Sequence, residues 1–431
     1  MNVCIVALGK IGLPLAVQIA TKGHHVIGAD VSRATVDMVN AGEVPFPGEA
    51  GLAEALRDVR HRGLLEATTD TTAAVRASEA VLIVVPLVVG DDLRPRFEAL
   101  DAATRAIAAG LQPGTLVSYE TTLPVGTTRQ RFAPALVQGS GLAVGRDLFL
   151  VFSPERVSSG RIFADLRRYP KLVGGVDDAS TARGIEFYES ILDFDERPDL
   201  ARPNGVWAMD SVEASEFAKL AETTYRDVNI GLANEFARYA DTIGVDVYDV
   251  IAASNSQPFS HIHQPGIAVG GHCIPVYPRF YLTNDPAATL PAAARTLTSD
   301  MPRWSVEKLQ AKIGGLDGRR VTVLGIAYRG GVKEHAFSGV FPVVAELRAR
   351  GADVAVHDPL YDDAEIAAFG FSPYQLGNPC DAVLVQTDHA EYRSLYASQF
   401  PGAQAVMDGR RILDVSRWKP VPVLYIGAPT A

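Results

Sequence analysis

The sequence predicts an α/β protein in which a long central helix joins two doubly wound parallel-sheet domains. Three observations predict this fold. Short, continuously apolar runs alternate with amphipathic segments in the first half, residues 211–243 contain almost no Gly or Pro, and the alternation starts again near residue 320. The length of 431 residues also favours two or three compact units over one.

The first half contains four apolar runs that are continuous rather than alternating, as in strands buried on both faces of a parallel sheet. These runs are residues 3–6, 26–29, 81–85 and 116–119. Amphipathic segments between the runs predict helices at residues 13–22, 33–40 and 97–109. Repeated strand and helix units of this kind predict a Rossmann-like, doubly wound sheet.

The middle of the chain predicts one long helix followed by an irregular loop. Apolar side chains recur at helical spacing within residues 211–243, whereas residues 257–281 are rich in Pro, Gly and His. A further helical segment ends near residue 313. A second Rossmann-like domain is then predicted by strands at residues 320–325, 353–356 and 382–385 and by a helix at residues 340–350.

The composition excludes several classes of protein. There are 40 Lys and Arg against 50 Asp and Glu, and the formal net charge of −10 argues against a nucleic-acid-binding protein, which needs clustered basic residues. The three cysteines, Cys4, Cys273 and Cys380, lack the spacing of a zinc site or a disulfide framework. With no apolar run near the ~20 residues of a membrane span and no cationic leader, the sequence predicts a soluble cytoplasmic protein.

A dinucleotide-binding loop is predicted at the end of the first strand. Residues 7–12, Ala-Leu-Gly-Lys-Ile-Gly, match the pattern G-x-G-x-x-G with Ala at the first glycine. In this pattern Gly9 lets the backbone approach a pyrophosphate, and Gly12 lets the helix pack closely on the strand. Asp30 ends the second strand, where a carboxylate accepts hydrogen bonds from ribose hydroxyls and repels a 2′-phosphate. The sequence therefore predicts NAD as the cofactor.

Several residues in and near this loop leave alternatives open. Arg33 lies close to Asp30 in sequence and counts towards NADP, because an Arg there can accommodate a 2′-phosphate. The two glycines could serve only a tight turn, with Asp30 capping the following helix. Ala7 fits the turn without strain only if its φ angle is negative.

A reachable thiol is predicted in the irregular loop, at Cys273 behind Gly270 and Gly271. Glycine allows backbone to crowd a ligand, and Lys219 on the central helix provides an amine that could lower the pKa of the thiol or transfer a proton. Covalent catalysis is one interpretation of this pattern.

Other interpretations of the same loop stay open. Cys273 could be a structural thiol. His261, His263 and His272 together with Cys273 could bind a metal, although their spacing is not that of a usual zinc site. His263 could instead hydrogen-bond the loop backbone.

Short motifs follow one another in a fixed order along nearly the whole chain. They are Gly-Lys-Ile-Gly-Leu-Pro-Leu-Ala at 9–16, Thr-Leu-Pro-Val-Gly-Thr-Thr at 122–128, Ser-Pro-Glu-Arg-Val at 153–157, Pro-Lys-Leu-Val-Gly-Gly at 170–175, Lys219 with Tyr-Arg-Asp-Val-Asn-Ile at 225–230, Ile-His-Gln-Pro-Gly at 262–266, Gly-Gly-His-Cys-Ile-Pro at 270–275 and Thr-Asp-His at 387–389. With these motifs the chain resembles the nucleotide-sugar 6-dehydrogenases, the family that includes UDP-glucose and UDP-N-acetylhexosamine dehydrogenases. The His-Cys-Ile-Pro motif is closer to the N-acetylhexosamine branch.

The resemblance implies three regions and one reaction. An NAD-binding Rossmann-like domain is expected at residues 1–200, a central helical region with the dimer contacts and the catalytic loop at 201–300, and a UDP-binding Rossmann-like domain at 301–431. The expected protein is a homodimer that oxidises C6 of a nucleotide-diphosphate sugar to the uronate by two hydride transfers to NAD. Cys273 adds to the aldehyde to give a thiohemiacetal, which becomes a thioester.

The same resemblance assigns roles to particular side chains. Lys219 stabilises an oxyanion, while Glu155 and Thr122 position water and mediate proton transfer. Arg329 and backbone amides bind the anionic nucleotide sugar. The residues assigned to catalysis are Cys273, Lys219, Glu155, Thr122 and Thr223; those assigned to NAD are Gly9, Lys10, Ile11, Gly12, Asp30 and Thr122; and those assigned to the substrate are Lys219, His263, Gly270, Gly271 and Arg329.

The sequence departs from the family pattern at positions that carry chemistry. Thr223 stands where the family has Asn, Tyr277 where it has Asp, and Phe259 where it has an Arg that reaches the substrate of the neighbouring subunit. Ala336 lies where the family has an Arg-containing run, and Leu87 where it has Thr. We expect altered substrate scope, slow turnover or incomplete oxidation.

Two alternative functions follow. One is a two-electron dehydrogenase of the wider 3-hydroxyacid group, which does not need Cys273. The other is a catalytically weakened homologue that binds nucleotide sugars without oxidising them.

Overall fold

The computed structural model describes residues 1–90, 92–158 and 160–430. The chain divides into two compact units: unit 1 contains residues 1–222 with 279–284, and unit 2 contains residues 223–278 with the rest of the chain from 285. The division falls inside the long central helix, so residues 201–300 contribute to both units.

Unit 1 is built on an eight-stranded sheet with a separate small hairpin. In chain order the strands are β1 (Asn2–Val6), β2 (His25–Ala29), β3 (Leu65–Thr68), β4 (Ala80–Ile83), β5 (Val88–Val89), β6 (Pro95–Arg96), β7 (Thr115–Tyr119), β8 (Leu148–Phe152), β9 (Lys171–Gly175) and β10 (Val206–Ala208). Strands β5 and β6 form the antiparallel hairpin, and the others pair in the order β10-β9-β8-β7-β4-β1-β2-β3.

Helices connect the strands of unit 1. They are α1 (Gly12–Thr21), α2 (Arg33–Asn40), α3 (Leu52–His61), α4 (Thr71–Arg76), α5 (Glu98–Ala108), α6 (Ala133–Ser140), α7 (Ile162–Arg168) and α8 (Asp178–Ile191), with a π-helical turn at Thr128–Phe132 before α6. Ser32, Asp70 and Asp177 cap α2, α4 and α8 by accepting the backbone N–H three residues later.

The burial of the strands explains the continuous apolar runs. Every residue of β4 and of β7 is buried, because both faces of the sheet are covered. The sheet is parallel throughout except for β8 and β9, which pair antiparallel. The sequence predicts neither this reversal nor the extension of the sheet through β9 and β10.

Four helices occupy the middle of the chain. They are α9 (Val212–Ile243), α10 (Val247–Ser254), α11 (Tyr277–Asn284) and α12 (Thr289–Ile313). The 32-residue α9 confirms the predicted central helix, and the segment between α10 and α11 is irregular, as its Pro and Gly content predicts.

Unit 2 contains a second, smaller sheet in which all strand pairs are parallel. Its strands are β11 (Arg320–Leu324), β12 (Asp353–His357), β13 (Ser372–Pro373), β14 (Ala382–Val385), β15 (Ala405–Asp408) and β16 (Val423–Tyr425), and its connecting helices are α13 (Val340–Ala349) and α14 (Asp363–Ala368). The strand order β13-β12-β11-β14-β15-β16 is doubly wound about β11. The structure confirms the predicted fold class: two Rossmann-like sheets and a long central helix.

No helix in the part of the chain that the structure describes is both long and apolar enough to cross a membrane.

Candidate active site

The loop after β1 requires its two glycines for different reasons. Gly12 is the first residue of α1, and a Cβ atom there would lie 1.9 Å from the carbonyl oxygen of Ala7 and 2.7 Å from Cγ2 of Val84. A Cβ atom at Gly9 would meet nothing within 4 Å. Gly12 therefore permits the packing of helix on strand, whereas Gly9 exposes backbone beside open space, which fits the close approach of a pyrophosphate.

Ala7 occupies the first glycine position of this loop with a φ angle of 79°. This is the left-handed region, which costs an L-residue about 1–2 kcal/mol relative to the right-handed one. The N–H of Ala7 donates to the carbonyl oxygen of Ala29 at 2.8 Å and so holds the turn on the sheet. Ala7 is therefore a point of backbone strain.

Asp30 lies at the end of β2 and supports the loop directly. One carboxylate oxygen accepts the N–H of Leu8 at 2.7 Å, and the other accepts the N–H of Ser32 at 2.8 Å. The side chain that caps α2 is Ser32, so Asp30 is not the helix cap. Arg33 is exposed and pairs with Asp37 at 2.9 Å, one turn further along α2.

These features fit NAD. The backbone at Gly9 is open, and the first turn of α1 carries no acidic residue, so its N–H groups favour a phosphate. Lys10 and Ile11 lie half-buried between the glycines. Asp30 is only partly buried and keeps acceptor capacity for ribose hydroxyls.

The turn after β7 carries the buried Thr122 and is held by a residue that the sequence analysis missed. One carboxylate oxygen of Glu216, on α9, accepts the N–H of Gly126 at 2.5 Å. The other accepts the N–H and the hydroxyl of Thr128 at 2.9 and 2.7 Å. Burial raises the pKa of Glu216 to about 7 against the opposing effect of these donors. The sequence gives one indication of a role for Glu216, which is its position three residues before Lys219 on the same helix.

Glu155 follows β8 and is held by three donors. One oxygen accepts the N–H of Arg156 at 2.6 Å and of Val157 at 3.1 Å, and the other accepts from Nζ of Lys171 at 3.1 Å. Burial acts to raise the pKa of Glu155, but the charge of Lys171 and the backbone donors outweigh it, so the pKa lies below its usual value. At neutral pH the carboxylate is ionised and fixed in place.

Lys219 projects from α9 and is buried. Its Nζ lies 3.7 Å from a carboxylate oxygen of Glu222, one turn later, and Glu222 also accepts from Nε of Arg156 at 2.8 Å. In unit 1 the structure therefore links Lys219 through Glu222 to the residue that follows Glu155. Thr223, which follows Glu222 on α9, is also buried.

Cys273 has an exposed thiol, whereas Cys4 and Cys380 are buried. The carbonyl oxygen of Cys273 accepts the N–H of Tyr277 at 2.9 Å, so the cysteine lies in the turn that leads into α11. Burial raises the pKa of Cys4 to about 12, which keeps that thiol protonated and unreactive.

The two glycines before Cys273 are required by contacts within unit 2. A Cβ atom at Gly270 would lie 2.6 Å from Cβ of Tyr328 and 2.9 Å from the carbonyl oxygen of Phe337. Gly271 has a φ angle of 84°, and its N–H donates to the carbonyl oxygen of Ala336 at 2.7 Å. The cysteine loop is thus fastened to the loop between β11 and α13.

That second loop carries Arg329, which is exposed beside Tyr328, with its guanidinium carbon 5.8 Å from the ring centre. Within unit 2 the structure therefore brings together the predicted substrate residues Gly270, Gly271 and Arg329 with the thiol-bearing turn.

His263 is half-buried in the same unit. Its N–H donates to the side-chain oxygen of Asn229 at 2.8 Å, and its ring lies edge-on to Tyr225. Burial and the charge of Arg226 lower the pKa of His263, so the ring is neutral at pH 7. At pH 7 the ring of His263 can therefore form hydrogen bonds but carries no positive charge.

The predicted site residues divide between the units. Unit 1 contains Gly9, Lys10, Ile11, Gly12, Asp30, Thr122, Glu155 and Lys219, and unit 2 contains Thr223, His263, Gly270, Gly271, Cys273 and Arg329. Among residues 1–90, 92–158 and 160–430, no three His, Cys, Asp or Glu side chains lie close enough to hold a metal ion.

The substituted positions differ in their surroundings. Phe259 is 92% exposed, whereas Leu87 and Thr223 are buried. Ala336 contributes its carbonyl oxygen to the cysteine loop. The exposure of Phe259 shows that this aromatic ring is not needed for packing within the chain.

Three family profiles match the chain in succession. They describe the NAD-binding domain, the central domain and the UDP-binding domain of the UDP-glucose/GDP-mannose dehydrogenase family, at residues 1–192, 213–301 and 322–415.

Relatives and solved structures agree with these profiles. The UDP-N-acetyl-D-mannosamine dehydrogenase of Pyrococcus horikoshii is 32% identical over 427 residues, 96% of each chain, and that of Escherichia coli is 32% identical over 319 residues, 72% of each. The solved UDP-D-ManNAc dehydrogenase from Pyrococcus horikoshii superposes with a TM-score of 0.88 at 29% identity, covering 99% of each chain. A UDP-glucose dehydrogenase from Pyrobaculum islandicum superposes with a TM-score of 0.86 at 26% identity, covering 99% of this chain and 97% of that one. The chain belongs to the UDP-glucose/GDP-mannose dehydrogenase family and is an NAD-dependent nucleotide-sugar dehydrogenase.

Proposed function

We propose that this protein oxidises C6 of a UDP-N-acetylhexosamine to the uronate in two NAD-dependent steps, with UDP-N-acetyl-D-mannosamine as the first substrate to test. The names of the relatives at 32% identity support this sugar. The His-Cys-Ile-Pro motif supports the same branch. Such a uronate would serve polysaccharide biosynthesis in the cytoplasm.

The observation that carries the covalent route is the exposed thiol of Cys273 in a loop whose glycines are fixed by packing. Gly270 and Gly271 lie against Tyr328 and the carbonyl oxygens of residues 336 and 337, so the turn that presents the thiol has a defined place in unit 2. A purely structural thiol would be buried, as Cys4 and Cys380 are.

The proposed roles follow from the chemistry of each group. When bound, NAD supplies the hydride acceptor. The thiolate of Cys273 adds to the C6 aldehyde, and the ammonium of Lys219 stabilises the oxyanion. The ionised Glu155, with Thr122, positions the water that releases the uronate from the thioester. Arg329 and the amides of Gly270 and Gly271 bind the diphosphate, and neutral His263 hydrogen-bonds the substrate.

Cys273→Ser tests the covalent route, with His272→Ala as the control for disturbance of the loop. We expect the wild-type protein and the control to form uronate, and Cys273→Ser to form it at least ~10³-fold more slowly, because a serine hydroxyl is a far weaker nucleophile at neutral pH. Product mass and NADH release are measured together. Uronate formation by Cys273→Ser at the wild-type rate would overturn the proposal.

A second candidate is favoured by Thr223 and Tyr277, which replace an amide and a carboxylate of the family pattern. Loss of an oxyanion donor costs about 2.7–4 kcal/mol in other enzymes. Under this second candidate the protein oxidises the sugar by two electrons only, to the aldehyde, or binds the nucleotide sugar without oxidising it. One NADH per sugar with an aldehyde product, unchanged in Cys273→Ser, would establish the first form, and binding without NADH release the second.

We further propose a homodimer through α9. Five apolar or aromatic side chains of this helix are exposed at spacings of three, four and seven residues, which form one stripe: Tyr225, Leu232, Phe236, Tyr239 and Ile243. Light scattering after size exclusion should give twice the mass of the chain, and Leu232→Glu with Phe236→Glu should give the monomer mass. A wild-type monomer at micromolar concentration would contradict the dimer.

A further inference from the structure

A buried ionic cluster of Glu155, Lys171 and Glu120 extends inward from Glu155, and the mechanism above uses only Glu155. Nζ of Lys171 donates to Glu120 at 2.8 Å as well as to Glu155 at 3.1 Å. The hydroxyl of Tyr188 donates to the other oxygen of Glu120 at 2.6 Å, and the hydroxyl of Ser118 lies 2.7 Å from that of Tyr188. The cluster joins the ends of β7 and β9 to helix α8.

Stability alone gives no reason for these charges. Glu120 and Lys171 are almost completely buried, and removing an ion pair from water costs several kcal/mol per ion. A protein in which apolar side chains of similar volume replace such a buried ion pair is often equally stable or more stable. The arrangement is nevertheless complete, since both oxygens of Glu120 have donors and Lys171 also lies 4.9 Å from the ring centre of Tyr188.

The exposure of the side chains increases across the cluster from Glu120 to Glu155. The side chain of Glu120 is 0% exposed, that of Lys171 is 5% exposed, and that of Glu155 is 11% exposed. Two carboxylates share one ammonium, so the cluster carries one excess negative charge if both are ionised. Burial raises the pKa of Glu120 despite Lys171, whereas the pKa of Glu155 is lowered. The negative charge is therefore favoured on the outer carboxylate.

We propose that Lys171 is a positioning residue for Glu155: it fixes one carboxylate oxygen and keeps the group ionised, while Glu120, itself anchored by Tyr188, holds the ammonium in place. This inference rests on the proposed role of Glu155 in water positioning. The backbone donors of Arg156 and Val157 hold the second oxygen. With both oxygens oriented, the carboxylate accepts a proton from water in one geometry only.

Charged groups on the neighbouring segments form pairs outside the cluster. Arg156 and Lys219 share Glu222, at 2.8 and 3.7 Å. Asp165 on α7 pairs with Arg161 at 3.3 Å and accepts the N–H of Ser158. The variants below leave these groups unchanged, so these groups do not cause the differences in pH profile expected between the variants.

Lys171→Met and Lys171→Arg form the matched test. Methionine keeps the length of the side chain and removes the charge, so we expect the rate of uronate formation at pH 7 to fall ~10²-fold or more, with KM for the nucleotide sugar within ~3-fold. The acid limb of the kcat profile should move up by at least ~1 pH unit, since Glu155 loses the cation that lowers its pKa. Arginine keeps the charge, and Lys171→Arg should keep the wild-type limb.

Lys171→Met leaves two buried carboxylates without a cation, so a second variant guards against failure to fold. Lys171→Met with Glu120→Gln removes the inner charge as well, and it should fold while keeping the raised acid limb. Adding Glu155→Gln to Lys171→Met should lower the rate further at high pH and abolish the raised acid limb, because that limb reports the titration of Glu155. An acid limb that stays at the wild-type pH in both Lys171→Met variants would overturn the inference.

A measurement of stability separates this inference from the proposed function. If the wild-type protein forms no uronate, the proposed function fails, but the charge arrangement can still be tested by thermal unfolding. The difference in Tm between wild type and Lys171→Met should grow from pH 5 to pH 8, because the unpaired carboxylates must ionise while buried. A difference that does not change with pH would contradict the arrangement itself.

Discussion

The two Rossmann-like sheets use the same carboxylate position in different ways. Asp30 and Asp358 each follow the second strand of their sheet and each accept backbone N–H groups from the loop after the first strand. Asp30 is only partly buried and binds one N–H of that loop, from Leu8. Asp358 is buried and accepts from Ile326, Ala327, Leu360 and His389.

This difference indicates which loop is suited to a dinucleotide. The acceptor capacity of Asp358 is taken up inside unit 2, and no helix begins until residue 340, well after the loop. The loop of unit 1 leads directly into α1 and leaves both backbone and Asp30 accessible. The carboxylate at this strand end is therefore fully used within the sheet of unit 2, whereas in unit 1 Asp30 keeps acceptor capacity that suits a ligand.

The largest expected effect separates packing from ligand binding within the first loop. Gly12→Ala should destabilise the protein by about 3 kcal/mol or prevent folding, because the added Cβ meets a backbone carbonyl that cannot move freely. Gly9→Ala should keep the wild-type Tm but weaken NAD binding by at least ~10-fold, since open space there is needed by the pyrophosphate. Thermal unfolding and NAD titration measure the two effects. Equal loss of stability in both variants would contradict the division of roles.

The next effect tests the two aspartates directly. Asp358→Ala should cost about 3 kcal/mol, because it leaves buried N–H groups and His389 without an acceptor. Asp30→Ala should cost less stability and raise the Kd for NAD by ~10-fold or more. Denaturant unfolding gives the first value and fluorescence titration of NADH the second. If Asp30→Ala unfolds as readily as Asp358→Ala, the contrast between the loops is wrong.

An effect of comparable size concerns pH. Two buried carboxylates that each hold a loop, Glu216 and Asp358, have pKa values shifted in opposite directions. The pKa of Glu216 is raised to about 7, so the folded protein holds this proton more tightly than the unfolded chain. The resulting stability is present below about pH 4 and is lost as pH rises to about 7, a change on the order of 3 kcal/mol. Burial acts to raise the pKa of Asp358, but His389 and the backbone donors outweigh it, so this pKa lies below its usual value. The contribution of Asp358 to the stability of the protein is therefore lost as pH falls.

Glu216→Gln isolates this contribution. The variant should be less stable at pH 5, because an amide has one oxygen and leaves the N–H of Gly126 or of Thr128 without an acceptor. Its stability should no longer fall between pH 5 and pH 7. Urea unfolding at fixed pH values measures the slope. A slope equal to that of the wild type would show that Glu216 does not titrate in this range.

The smallest effect is at Ala7. Ala7→Gly should raise stability by up to about 1 kcal/mol, because glycine relieves the left-handed backbone although it gains entropy in the unfolded chain. Tm is the measurement. A lower Tm would mean that the Ala7 side chain contributes more packing than its backbone costs.

The sequence predicts most of the fold because burial on both faces of a parallel sheet leaves a continuous apolar run, and because α9 has clean helical spacing. It does not predict the antiparallel pairing of β8 and β9, since an apolar strand pattern carries no direction. Among site residues, Gly9, Gly12 and Asp30 follow from one local motif.

Two residues to which the sequence analysis gave no role make contacts over long distances in the chain. Glu216 holds a turn 88 residues away at Thr128, and Lys171 joins Glu120, 51 residues away, to Glu155. Buried polar contacts of this kind have no periodicity and no spacing rule, so only the folded chain reveals them.

The central claim is complete oxidation at C6 through Cys273, and one end-point assay tests it most directly. UDP-N-acetyl-D-mannosamine is converted to completion with excess NAD, and NADH per sugar is counted alongside product mass. We predict two NADH per sugar and a uronate as the only product in the wild-type protein. One NADH per sugar with an aldehyde product, or binding of the nucleotide sugar without NADH, would contradict the account.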